Sequence, residues 1–281
     1  MKNILIPTDF SENSWNAVTY ALSFYRKESC TFYLLHVIDV MVGAVVNAAF
    51  DTPLQEIDHE RIAASETKLM KLYDRVISRE LNPHHTIKLI SETDTLVECI
   101  RKSVVNYHID LIVMGTRGAD GIREKTIGTH TVEVLTRVKC PLLIVPREAC
   151  YSKLREVVFP TDYRMPCTTG IAELLKKLIL LDQVPIRFLH IVKKHSDLLS
   201  VEQELNKITY SDNFKDFENS FHTLTNHNLE LAVECFTESR DISLIVMVAK
   251  NLNFFQQILF NPRVAEISYH TRIPFLVLHE V

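Results

Sequence analysis

The sequence predicts an α/β protein built as two tandem, doubly wound domains, each around a five-stranded parallel sheet. Three observations predict it. An ordered set of segments occurs twice along the chain, and short apolar runs alternate with stretches of helical periodicity. Four of only six glycines, Gly115, Gly118, Gly121 and Gly128, follow one of those runs closely. Strands that are apolar throughout belong to sheets covered on both faces. Helices between them supply right-handed crossovers. Glycine gives backbone that a ligand or another element can approach.

The first repeat opens with a short apolar strand over 2–7. Ser11 then provides an N-cap for a helix over 12–26, with Val18, Ala21, Leu22 and Tyr25 on one face. A buried strand covers 31–38 (Phe32-Tyr33-Leu34-Leu35-His36-Val37), and a long helix covers about 56–80, with Ile62, Leu69, Leu72, Val76 and Ile77 at helical spacing. Strand 86–91 follows, then a helix over about 95–107 carrying Leu96, Ile100 and Val104. Strand 110–114, the glycine loop, helix 129–138 and strand 141–145 complete the unit.

The second repeat follows the same plan. Ile4-Leu5-Ile6-Pro7-Thr8-Asp9 returns as Val157-Val158-Phe159-Pro160-Thr161-Asp162, an offset of 153. Leu34-Leu35-His36-Val37 returns as Phe188-Leu189-His190-Ile191 at 154, and Leu111-Ile112-Val113-Met114 returns unchanged at 244–247, an offset of 133. Matches in one order with one change of spacing indicate an internal duplication. The drop from 154 to 133 leaves the first repeat 21 residues longer near Val40 to Leu54, which reads as a longer loop and helix start covering core. The third helix of the second repeat falls near 228–239. The domains are accordingly 1–147 and 154–281, joined by a short polar linker at about Arg147 to Arg155.

Bulk properties exclude several classes. A 281-residue chain with 47% hydrophobic residues suits two soluble domains. A net charge of −4 without a Lys/Arg run argues against nucleic acid as a partner. No apolar run reaches the ~20 residues needed to span a bilayer, and the apolar run Ile4 to Ile6 is too short for a signal-peptide core. The six cysteines form no C-x-x-C pair and the twelve histidines no H-E-x-x-H, so neither a disulfide framework nor a metal site is expected. Idle thiols in a reducing cytoplasm fit this pattern.

In open α/β sheets ligands bind beyond the carboxyl ends of the strands, where strand order reverses. Asp9 ends the first strand, His36-Val37-Ile38 the second, and Gly115-Thr116-Arg117-Gly118 follows the fourth. Gly128-Thr129-His130-Thr131 opens the next helix. Its free N–H groups, with the Thr129 and Thr131 hydroxyls, suit phosphate oxygens, and Arg117, Arg123 and Lys125 add positive charge. A tight packing turn explains the glycines alternatively, and capping explains Asp9. Neither G-x-x-x-x-G-K-[ST] nor a G-x-G-x-x-G after the first strand is present, which excludes a P-loop NTPase and a dinucleotide-binding Rossmann domain.

Gly115-x2-Gly118-x9-Gly128-Thr129 resembles the ATP-binding signature G-x2-G-x9-G-[ST] of the universal stress protein family, with every fixed position filled. The likeness extends to Pro7-Thr8-Asp9-Phe10-Ser11, Leu34 to Asp39, Asp110 to Gly115 and Cys140 to Pro146, and covers nearly the whole chain as two copies. The resemblance implies an adenine nucleotide alpha hydrolase-like fold, with a pseudo-twofold formed by pairing the last strands, 141–145 against 274–279. It implies ATP, or AMP or ADP, accompanied or not by Mg²⁺. Asp9 would lie at the ribose, the Val37 backbone at the adenine, and Met114 and Gly115 beside the sugar. Arg117, Gly118, Gly128, Thr129, His130 and Thr131 would surround the phosphates. It further implies a cytoplasmic stress-response protein that is no enzyme beyond slow ATP hydrolysis, with an unidentified protein partner. A homodimer of tandem chains stays open.

The second repeat departs from the motif. Gly115, Gly118, Gly128 and Thr129 become Val248, Asn251, Asn261 and Pro262, and Phe254, Phe255 and Phe260 make the loop apolar. A β-branched side chain now stands where backbone must approach ligand, and Pro262 removes a donor. This repeat is not expected to bind ATP. The alternatives are a slow ATPase and a nucleotide-free scaffold that binds a protein or apolar ligand.

Overall fold

The computed structural model describes residues 1–39, 54–79, 82–116, 128–194, 198–249 and 272–279. The segment 40–53 and the residues Arg117, Gly118, Gly121, Arg123, Lys125, Asn251, Phe254, Phe255, Phe260, Asn261 and Pro262 lie outside these. Two units are distinguished, the first ending at Arg147 and the second beginning at Glu148.

In the first unit the elements are β1 (Lys2–Pro7), α1 (Glu12–Phe24), β2 (Cys30–Ile38), α2 (Leu54–Ile77), β3 (His85–Thr93), α3 (Leu96–Asn106), β4 (Leu111–Gly115), α4 (Thr129–Arg137) and β5 (Leu142–Val145). All strand pairs are parallel, in the order β3-β2-β1-β4-β5. Order therefore reverses at β1, which pairs with β2 on one side and β4 on the other. Open α/β sheets place ligands at such a reversal, here beyond Pro7 and Gly115. Ile4, Leu5, Ile6, Ile112 and Val113 are buried completely, as strands covered on both faces require.

The second unit repeats the plan with β6 (Glu156–Pro160), α5 (Thr169–Asp182), β7 (Ile186–Val192), α6 (Val201–Phe214), β8 (Asn219–Thr225), α7 (Leu229–Glu238), β9 (Ile242–Val248) and β10 (Phe275–Leu278). Its strands are also parallel, in the order β8-β7-β6-β9-β10. The extra length of the first repeat falls between its second and third strands, and part of it is helix: α2 has 24 residues and α6 has 14. The segment expected as a polar linker is instead packed. Ala149 and Leu154 are buried, and the Asp182 carboxylate accepts hydrogen bonds from the Tyr151 hydroxyl (2.9 Å) and the Leu154 N–H (3.2 Å).

Duplication reaches the hydrogen bonds. Thr8 and Thr161 each donate their N–H to the neighbouring strand, to Leu35 and Leu189, at 2.8 Å. Each threonine hydroxyl then accepts the N–H two residues on, from Phe10 (3.1 Å) and Tyr163 (3.0 Å). Both aromatics take the left-handed conformation, φ 65° and 55°, which is costly for a bulky residue and held here by the turn.

At the amino ends of the strands the units differ. In the first, Tyr33 stacks on Tyr107 with ring centroids 4.8 Å apart, and Asn3 donates to the Tyr107 carbonyl at 2.9 Å. The corresponding residues of the second are Arg187, Arg240 and Glu156. Arg187 forms a two-pronged pair with Glu156, both bonds 2.9 Å, and Arg240 lies 3.8 Å from the same carboxylate. The Arg187 hydrogen bonds, helped by the Arg187 and Arg240 charges, hold the Glu156 carboxyl below the ordinary 4.5 of a glutamate. Glu156→Gln should cost about 1–3 kcal/mol at neutral pH. A depressed carboxyl stabilises above its unfolded pKa and loses that contribution as pH falls through the folded one. Urea unfolding midpoints of wild type and Glu156→Gln should therefore converge from about pH 4 downward. A gap that persists in acid would contradict the assignment.

Candidate functional site

The ends of three adjacent strands of the first unit, β2, β1 and β4, carry the candidate residues. At β1, Asp9 is exposed, and its Oδ1 accepts from the Ser11 N–H (3.0 Å) and hydroxyl (2.6 Å). Ser11 in turn caps α1 by accepting the Ser14 N–H at 3.2 Å. The carboxylate thus braces the cap, as the capping alternative expected, and stays in solvent at the strand end.

At β2, Val37 is half-buried and paired in register with Glu92, so its main chain lies at the strand end. Beside it His36 packs against Phe10, centroids 4.6 Å apart, and its Nδ1 bonds the Ser65 hydroxyl at 2.7 Å. Ser65 continues to Ser91 at 2.7 Å, tying α2 to β3. Burial, together with the nearby Lys68 charge, lowers the His36 pKa against the opposing pull of Asp9. His36 is thus a partnered histidine. His190 matches it, with Nδ1 2.9 Å from the Thr161 carbonyl.

At β4, Met114 is buried and paired with Ile144. Gly115 touches the side chain of Asn13 on α1: a Cβ added there would lie 2.6 Å from the Asn13 amide nitrogen. The chain leaves the strand at Thr116 and returns at Gly128, whose N–H donates to the Thr116 carbonyl. Gly128 is the N-cap of α4 and has no side chain to satisfy the first turn. Thr129 and His130 are exposed at that helix start. Thr131 is different. It is buried, and its hydroxyl donates to the Gly115 carbonyl at 3.0 Å, so this group positions the helix start against the strand end.

Asp9, Val37, Gly115, Gly128, Thr129 and His130 therefore lie at or just beyond the carboxyl ends of β1, β2 and β4, where strand order reverses. Arg117 and Gly118 fall outside the described residues. Sequence reasoning missed Asn13, Ser65 and Lys68. A signal existed for Asn13, a polar residue on the helix face shared by Ala17, Tyr20 and Phe24. Among the described residues no cluster of three or more His, Cys, Asp or Glu side chains could hold a metal ion. No helix among them is long and apolar enough to cross a membrane.

The family model described as "Universal stress protein family" matches residues 1–146, more than half of the chain. The chain belongs to the universal stress protein family. Universal stress protein MJ0577 of Methanocaldococcus jannaschii is 28% identical over 159 residues, covering 52% of this chain and 96% of its own. Universal stress protein Slr1230 of Synechocystis is 21% identical over 298 residues, covering 98% of this chain and 99% of its own, which agrees with a tandem member. The crystal structure of a universal stress protein from Archaeoglobus fulgidus superposes with a TM-score of 0.70 at 20% identity, covering 99% of this chain and 98% of that one. In this universal stress protein the motif glycine 115 has a packing role as well as an open backbone. Gly115→Ala should lower stability by about 1–3 kcal/mol through overpacking against Asn13. Thermal melts of the variant would show it; an unchanged melt would mean that Asn13 moves aside freely.

Proposed function

We propose that the N-terminal unit binds ATP or a related adenine nucleotide, AMP or ADP, and that the protein acts as a nucleotide-dependent regulatory or interaction module. The observation that carries this reading is the bond between Gly128 and Thr116. It ties the start of α4 to the end of β4 and sets the uncapped first turn of the helix beside the strand-order reversal. Orphan N–H groups at such a turn, with the positive end of the helix dipole, suit phosphate oxygens. Thr129 adds a hydroxyl and His130 a donor at the same exposed turn. Asp9 and the Val37 main chain lie at the ends of β1 and β2, where ribose and base would reach. Arg117 and Gly118 belong to the loop and are assigned to the phosphates on the motif alone. Mg²⁺ would travel with the triphosphate, as among the described residues no cluster of His, Cys, Asp or Glu side chains could hold it.

Turnover is not the proposed role. Hydrolysis needs a base for water or an arranged carboxylate pair, and among the described residues Asp9 at the end of β1 is already bonded to Ser11. A stress-responsive role in the cytoplasm follows from the same reading of the family.

Thr129→Pro separates binding from folding. Position 129 is the first residue of α4, where proline is well accommodated, and the change removes one N–H from the phosphate site. One charge-assisted donor is worth about 1.5–3 kcal/mol, so ATP affinity measured by calorimetry with Mg²⁺ should fall about 10- to 100-fold while the thermal melt stays put. Wild-type protein that takes up no adenine nucleotide at millimolar ATP would sink the proposal. Steady turnover abolished by Gly118→Val would assign hydrolysis instead.

A further inference from the structure

Helix α6 has two unlike faces. Its inner face is fastened to the turn that corresponds to the Asp9 turn of the first unit. Gln203 donates to the Asp162 carbonyl at 2.7 Å and Asn206 to the Tyr163 carbonyl at 2.8 Å, while Tyr210 and Phe214 are buried. Thr209 accepts the Cys167 N–H at 3.4 Å. A full capping box, Ser200 with Gln203, orders the first turn. The strand end that would face a ligand in the first unit here serves as a mount for a helix.

The outer face carries an apolar stripe. Leu198, Val201, Leu205 and Ile208 are 90%, 80%, 59% and 53% exposed, and they recur every three or four residues, along one side of the helix and its lead-in. The fold does not demand this. The corresponding helix α2 exposes the charged Glu60, Glu66, Lys71 and Asp74 and, of its large apolar residues, Met70 (51%) and Ile77 (48%), neither as open as Leu198 or Val201. A contiguous exposed apolar strip on a rigid helix marks an interaction surface.

Charge identifies the occupant. Glu202 and Glu204 flank the stripe in the first turn, Asp212 is exposed beyond Ile208, and the last turn of the helix holds no basic residue. Lys207 points off the stripe and is half-buried, and Lys215 stands two turns past Ile208. A second copy docked about a two-fold axis through the stripe would bring Glu202 and Glu204 of each chain onto the acidic turn of the other. An anionic membrane would be repelled by the same carboxylates. We propose that α6 is a docking face for an amphipathic helix of another protein whose apolar stripe is flanked by lysine or arginine. Such a helix lays its anchors against the stripe and pairs its cations with Glu202 and Glu204.

The test uses the full chain and two labelled 18-residue helical peptides of identical leucine stripe, one flanked by lysines and one by glutamates. Fluorescence anisotropy should show binding of the lysine-flanked peptide only, weakened at least tenfold by Leu205→Glu. Position 205 is exposed, so circular dichroism should report an unchanged fold. The double variant Glu202→Lys/Glu204→Lys should reverse the preference toward the glutamate-flanked peptide. Equal binding of both peptides, binding of neither, or an affinity indifferent to Leu205→Glu would overturn the proposal. So would a dimer in sedimentation that Leu205→Glu dissolves, which would name a second copy, or retention on phosphatidylserine vesicles, which would name a membrane.

Discussion

Where β4 ends, the missing Cβ of Gly115 lets Asn13 of α1 lie directly on the strand, closer than any side chain would permit. That contact seats α1 against the end of β4 at the reversal of strand order. The same residue's carbonyl receives the Thr131 hydroxyl, which holds the bare first turn of α4 at the strand end. The Gly128 N–H, donated to the Thr116 carbonyl, ties the helix start to the same strand end. One residue without a side chain thus serves packing and ligand access together, because both demand close approach to the same stretch of backbone.

Duplication preserved the parts that hold the sheet and freed the parts that face a ligand. The Pro-Thr-Asp turn survives in both units with its strained aromatic and its paired threonine hydroxyl, since it joins β1 to β2 and β6 to β7. At the fourth strand end, Val248 is buried in place of Gly115. Near the turn of the second unit, Gln203 and Asn206 of α6 occupy carbonyls. At the other end of the strands, an aromatic stack in one unit is replaced by the Glu156–Arg187–Arg240 group in the other. Such a swap is tolerated because the largely buried Arg187 is fully paired by the Glu156 carboxylate, and Arg240 beside them keeps contact with water.

Much of the fold was legible because its signals are periodic and local. Apolar runs of four to six residues marked the strands, and the recurrence of Leu-Ile-Val-Met at two places ordered them into repeats. Ser11 as a cap depends on neighbours three residues away, so short-range chemistry was sufficient. Site residues were legible as types at strand ends. Their division of labour was not. Thr129 and Thr131 look alike in the motif, yet one is exposed and the other is buried against Gly115, because helical geometry turns positions two apart to different sides. The linker read as polar also packs, since Leu154 and Asp182 meet only after β6 and α5 are in place.

By itself the sequence determined the element order, the two repeats and the survival of the glycine motif in only one of them, because each is written in residue type and spacing. Tertiary structure decided which of these residues touch. It set Asn13 on Gly115, turned Thr131 inward and bound α6 to the turn of the second unit. It also left Leu198, Val201, Leu205 and Ile208 in water. The reason is physical: hydrophobic periodicity says that a helix has an apolar face but not whether the chain itself covers it, and only packing assigns the neighbour.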